Sequence, residues 1–251
     1  MKNSNDDTLS FPQQSLTQSV FYHFLPGLCI LLFYLIISPW VIKIGFNPSF
    51  GVILGFVFVG IPLQLFIMLR VGVKVNKSIS LSNVIFYRKK IPFWQYIAFS
   101  VIFIFYAVVV SSFLGPFNEF LLNGYFSWLP NWFTNSSPPI RQNTSQSIIV
   151  ISFIALFLID GLINPIIEEI YFRGFLLPRI SRYRIWSPLI NAILFSFAHF
   201  WQPWNTLQIF ILVLPLYYLV WWKKNIYISI TIHCLANIIG GILTFEQYLS
   251  G

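Results

Sequence analysis

Glu168 and Glu169, followed by Arg173, stand in a 251-residue chain with only seven acidic residues. Two of the three histidines are each four positions from a distinctive residue: Phe195 precedes His199, and Asn237 follows His233. Ionisable groups at membrane depth are costly and mark function. A carboxylate in apolar surroundings can act as general base toward water, and Glu168 is the candidate. A histidine opposite it can orient that water or pass a proton to a leaving amine. A second histidine with an asparagine amide can donate hydrogen bonds to a developing oxyanion. Peptide hydrolysis within or near a bilayer fits this set.

Helical spacing gives these residues faces. At about 100° per residue, Glu169 and Arg173 share a face while Glu168 points away from Glu169, so the two carboxylates have different tasks. The same spacing pairs Phe195 with His199 and His233 with Asn237. Counted from the cytoplasmic basic residues at about 1.5 Å per residue, Glu168 lies roughly 16 Å from Arg179, His233 roughly 13 Å from Lys224 and His199 roughly 22 Å from Arg184. Three helices are thus expected to bring polar side chains to similar depths, in a site opening toward the basic, cytoplasmic face.

The elements that position them read as membrane helices. The chain is 57% hydrophobic and 9% charged, with a mean hydropathy of +0.75, outside the range of soluble domains. The apolar runs predict an all-α, polytopic transmembrane bundle of about seven spans. These fall near 24–42, 50–69, 96–114, 148–180, 186–201, 207–222 and 226–244. Residues 1–145 read as N-terminal helices with an external loop, and residues 146–251 as a catalytic core of four helices. The net charge of +8 is carried in short clusters between apolar runs. It therefore indicates topology and argues against nucleic acid as a partner. Arg70 to Lys90, Arg179 to Arg184 and Lys223–Lys224 fall on one side, which places the N-terminus in the cytoplasm and the C-terminus outside. The polar stretch around Asn135 to Gln146 reads as a loop on the opposite side. No cleaved signal peptide is read at the N-terminus, and Cys29 and Cys234 have no metal-knuckle spacing.

The run 148–180 is overlong and is interrupted by Asp160, Gly161, Asn164 and Pro165. Asn164 reads as a helix cap with Pro165 at the first helical position, starting a new helix or kinking a continuous one. Asp160 caps or kinks the helix, or lines a cavity. His23 reads as interfacial.

In order and spacing, Glu168-Glu169-x-x-x-Arg173, Phe195-x-x-x-His199 and His233-x-x-x-Asn237, with Phe172-Arg173-Gly174 inside the first, resemble the CAAX protease and bacteriocin-processing family. This is the Abi or type II CAAX endopeptidase family of intramembrane endopeptidases. The resemblance runs from about 160 to 241. It implies Glu168 as the catalytic base, His199 acting on the same water, His233 and Asn237 as the oxyanion hole, and Glu169 and Arg173 as a supporting pair. It further implies a membrane-embedded or membrane-tethered peptide substrate and no required cofactor, with a divalent metal such as zinc as the minor alternative. HExxH is absent. Low charge and richness in Ile, Phe and Asn read as a bacterial plasma-membrane protein, so the family's prenylated substrates are not assumed. Two other classes share these residues: a non-proteolytic immunity or scaffold protein of the same family, and a transporter using the buried acid and histidines as a pathway. Oligomeric state is not readable from the sequence.

Overall fold

The computed structural model describes residues 12–134 and 144–250. The expected loop around Asn135 to Gln146, including Arg141, falls largely outside the described residues, as does the N-terminal segment before residue 12. Among the described residues, six helices are long and apolar enough to cross a membrane. They are α1 (Leu16–Lys43), α2 (Ser49–Asn76), α3 (Phe93–Asn123), α4 (Gln146–Arg179), α6 (Thr206–Lys223) and α7 (Tyr227–Ser250). A shorter apolar helix, α5 (Trp186–Phe197), lies between α4 and α6. Among the described residues the only extended pairing is one antiparallel bridge, Arg88 with Asn225.

The helix ends follow local chemistry. Ser15 and Gln18 form a reciprocal capping box at the start of α1, with N···O distances of 2.9 and 3.1 Å, satisfying amides that the first turn leaves without partners. Asn225 accepts from the Ile228 amide at 2.9 Å and opens α7, while its own amide donates to the Lys89 carbonyl at 2.6 Å. One residue thereby starts a helix and binds the loop before α3 to it.

α5 accounts for the seventh expected crossing, 186–201, and corrects its length. Its 12 residues rise about 18 Å, well short of the roughly 30 Å hydrocarbon core. The chain then turns inside the bundle. Gly27 of α1 admits that turn, because a Cβ there would lie 2.0 Å from the Ala198 carbonyl oxygen. Trp201 packs edge-on against Phe56 of α2, with ring centroids 5.6 Å apart.

The basic loops converge at one end. Gln14 donates its amide to the Arg179 carbonyl at 2.7 Å, Phe86 to Gly174 at 2.9 Å, Lys89 to Lys224 at 2.8 Å, and Ile226 to Tyr87 at 2.7 Å. The Arg179 guanidinium also reaches the Val84 carbonyl at 3.1 Å. Around these bonds lies the main apolar core, where Val84, Phe175, Leu176, Leu177 and Ile228 are fully buried. This end is therefore sealed. At the other end a smaller aromatic cluster joins Tyr34, Phe133 and Trp204.

Candidate active site

Helix α4 carries the acidic residues through unusual winding. π-helical turns span Leu156–Ile163 and Glu169–Leu176, separated by an α-helical turn Asn164–Glu168. Helix π-bulges are frequent at functional sites because they re-aim side chains without ending the helix. Of the two outcomes expected at Asn164–Pro165, the continuous helix is the one found. Asn164 is not a cap: its backbone is helical, and its amide donates to Glu168 Oε1 at 3.2 Å. The preceding π-turn carries the chain through Pro165, so no new N-terminus arises.

The two glutamates face different surroundings. Glu168 is 5% exposed and lines a cavity. Glu169 is fully buried and accepts from two donors, Arg173 Nη1 and His233 Nδ1, the latter at 2.8 Å. The expected Glu169–Arg173 pairing is present. The bond to His233, on α7, had no signal in local spacing because it joins residues 64 positions apart. Arg173 stacks over Tyr217 of α6, its guanidinium carbon 4.0 Å from the ring centroid, and lies 5.3 Å from that of Phe195. The buried charge is thus held between a carboxylate and two aromatic faces.

His199 corrects the reading that it shares a helical face with Phe195. α5 stops at Phe197, and His199 lies in the following turn, its Nδ1–H donating to the Phe195 carbonyl at 2.8 Å. The imidazole occupies one of the acceptors a helix C-terminus leaves open. Nδ1 being the donor, Nε2 is left as an acceptor. His233 likewise commits Nδ1 to Glu169. Asn237, one turn further along α7, donates to the Asp160 carbonyl at 2.9 Å and keeps its second amide hydrogen.

Glu168, Arg173, His199, His233 and Asn237 line one cavity of about 510 Å³, with Asp160 and Asn164. The sequence argument did not foresee that α2 and α3 wall it too, through Val52, Phe56, Phe103 and Ala107. Apolar wall residues carry no pattern that separates them from lipid-facing ones. The lining extends away from the basic loops. It reaches Ser49 and Thr244, toward the ends of α2 and α7 opposite those loops. Distance along a helix from its basic residues does not tell which end the core seals. His23 is the remaining correction: it is fully buried, not interfacial, and its Nε2 lies 2.9 Å from Asn191 Oδ1, tying α1 to α5.

Among the described residues no group of three or more His, Cys, Asp and Glu is arranged to hold a metal ion. No curated protein and no solved structure shows a significant match to the chain. Residues 150–239 match the family described as Type II CAAX prenyl endopeptidase Rce1-like. That span takes in Asp160 through Asn237, every polar side chain placed above at the head of the cavity. This part of the chain is thus similar to Rce1-like type II CAAX endopeptidases, and it lies within a multi-pass helical membrane protein.

Proposed function

We propose that the protein is an intramembrane endopeptidase that cuts membrane-embedded or membrane-tethered peptides with a glutamate-activated water. The observation that carries the reading is one cavity shared by Glu168, His199, His233 and Asn237, with each side chain fixed on its other side. Preorganised groups need no rearrangement as charge develops, which is where electrostatic catalysis gains most.

In this mechanism Glu168, steadied by Asn164, takes a proton from water as that water attacks the peptide carbonyl. His199 Nε2 accepts the second hydrogen of the same water and orients it. The free amide hydrogen of Asn237 and Nε2–H of doubly protonated His233 donate to the oxyanion. Glu169 accepts from His233 Nδ1 and fixes the ring, while Arg173 holds Glu169 in place. The proton on Glu168 then passes to the leaving amine and the tetrahedral intermediate collapses. No step requires a metal. With the basic end in the cytoplasm, as the positive-inside rule directs, the N-terminus is cytoplasmic and the cavity opens toward the other leaflet.

The test is cleavage of a library of membrane-tethered and prenylated fluorogenic peptides by the protein in liposomes. Glu168→Gln and His199→Ala are each expected to lower kcat by about 10²–10⁴, and EDTA is expected to leave turnover intact. Variants that cut as well as the parent would remove the hydrolytic reading, and activity lost to EDTA and restored by zinc would replace the metal-free one.

A further inference from the structure

Asp160 is the ionisable residue of the cavity lining that the proposed mechanism does not use. It lies on the first π-turn of α4, and with Asn164 and Glu168 it forms a stripe at four-residue spacing along the wall. Its main chain is engaged, since its carbonyl accepts the Asn237 amide at 2.9 Å. Its side-chain oxygens accept no hydrogen bond from the described residues. A carboxylate inside a membrane bundle is costly and is retained where it meets a counter-charge or a ligand. Arg173, the cation lining this cavity, is already paired with Glu169. His233, a cation in the proposed mechanism, is close enough to Asp160 to interact electrostatically, yet its two N–H groups go to Glu169 and the oxyanion, so neither donates to the Asp160 carboxylate. A substrate ammonium or guanidinium would donate to this carboxylate directly, adding hydrogen bonds to charge.

We infer that Asp160 is a specificity-determining residue, receiving a cationic group of the peptide substrate: a lysine or arginine side chain or a free N-terminal amine. The inference rests on the endopeptidase reading. Asp160 lies eight residues from Glu168, about 12 Å along the helix, a distance an extended peptide covers in about three to four residues. The cation therefore sits that far from the bond that is cut. Asp160 is also nearer than Glu168 to the end of the lining at Ser49 and Thr244, so a peptide reaching Glu168 from there passes it. Because the Asp160 carbonyl holds Asn237, occupancy of the carboxylate and positioning of the candidate oxyanion donor share one peptide unit.

Matched tethered peptides with Lys, Gln or Glu at positions two to five from the scissile bond, each with a free or acetylated N-terminus, test this on the full-length protein in liposomes. The parent is expected to prefer Lys over Gln by at least about tenfold in kcat/KM, mainly through KM, since a carboxylate in a cavity within the bundle discriminates strongly against an uncharged partner. Asp160→Asn should bring that ratio close to one, and Asp160→Lys should turn the preference toward Glu. A preference carried only by the unacetylated peptides assigns the cation to the N-terminus. A parent without charge preference, a preference that persists in Asp160→Asn, or an equal loss on all three peptides would overturn the inference. Binding of the same fluorescent peptides to Glu168→Gln separates the two readings. If the parent cuts nothing, a Lys-over-Gln binding preference that Asp160→Asn abolishes still supports the subsite, and its absence refutes it.

Discussion

At the residue scale, Glu169 rather than Glu168 is the anchor of the buried network. It is fully buried, takes hydrogen bonds from Arg173 and His233, and so couples α4 to α7. Removing one partner of a buried pair leaves the other charge uncompensated, at a cost of about 3–5 kcal/mol. Glu169→Gln should therefore lower the thermal midpoint in detergent more than Glu168→Gln does. The double variant Glu169→Gln/Arg173→Met should recover part of the loss, because it removes the orphaned cation too. Equal midpoints for the two single variants would place the stabilising carboxylate elsewhere. The two residues adjoin in sequence, and only their different surroundings separate a carboxylate that holds structure from one that meets the cavity.

At the element scale, the turn after α5 is the critical piece, because it delivers His199 into the bundle where a full-length helix would have carried it past. The contact of Gly27 with the Ala198 carbonyl fixes the depth of that turn. Gly27→Ala raises helix propensity by about 1 kcal/mol yet must displace the turn. Turnover is expected to fall by about tenfold or more, since small misplacements of catalytic groups are severe, while circular dichroism retains the helix content. Unchanged turnover would mean that His199 is not held by this contact. The loop joining α6 to α7 offers a second probe. Lys224, in the left-handed region at φ 53°, has its ammonium 4.5 Å from the Tyr87 ring centroid, and burial pushes its pKa down to about 8. A lysine with a depressed folded-state value binds fewer protons than in the unfolded chain. Its unfavourable contribution is full below about 8 and is relieved toward the unfolded value near 10.5. Stability should rise over that window, and Lys224→Met should flatten the rise, as read by thermal unfolding at stepped pH.

At the scale of the whole molecule, one end is sealed by packed loops and the other is reached by the cavity. The basic clusters mark the sealed end, so charge bias and cavity lining point to opposite faces. Single-cysteine variants test this after Cys29 and Cys234 are replaced. Thr244→Cys, at the far end of the cavity lining, should react with a membrane-impermeant maleimide added outside intact cells, whereas Ser82→Cys in a basic loop should react only after permeabilisation. The reverse pattern would invert the assigned topology and bring substrate from the cytoplasm.

The membrane class, the approximate span positions and the residues of the cavity head were legible in the chain, because each depends on residue type and short spacing. A run of apolar residues declares a span wherever it packs, and Glu168, Glu169 and Arg173 are close enough to be read together. Long-range contacts decided the rest. Asn164 looked like a cap because its local partners are those of a helix start, yet the π-turn before it keeps the helix continuous and turns its amide onto Glu168. His199 looked helical because four-residue spacing describes a bond to Phe195 equally well when the imidazole caps the helix end. His23 looked interfacial because its partner Asn191 lies 168 residues away. Which way the cavity extends, and that Asp160 lines it, depended on where the apolar core closed, which no local pattern encodes.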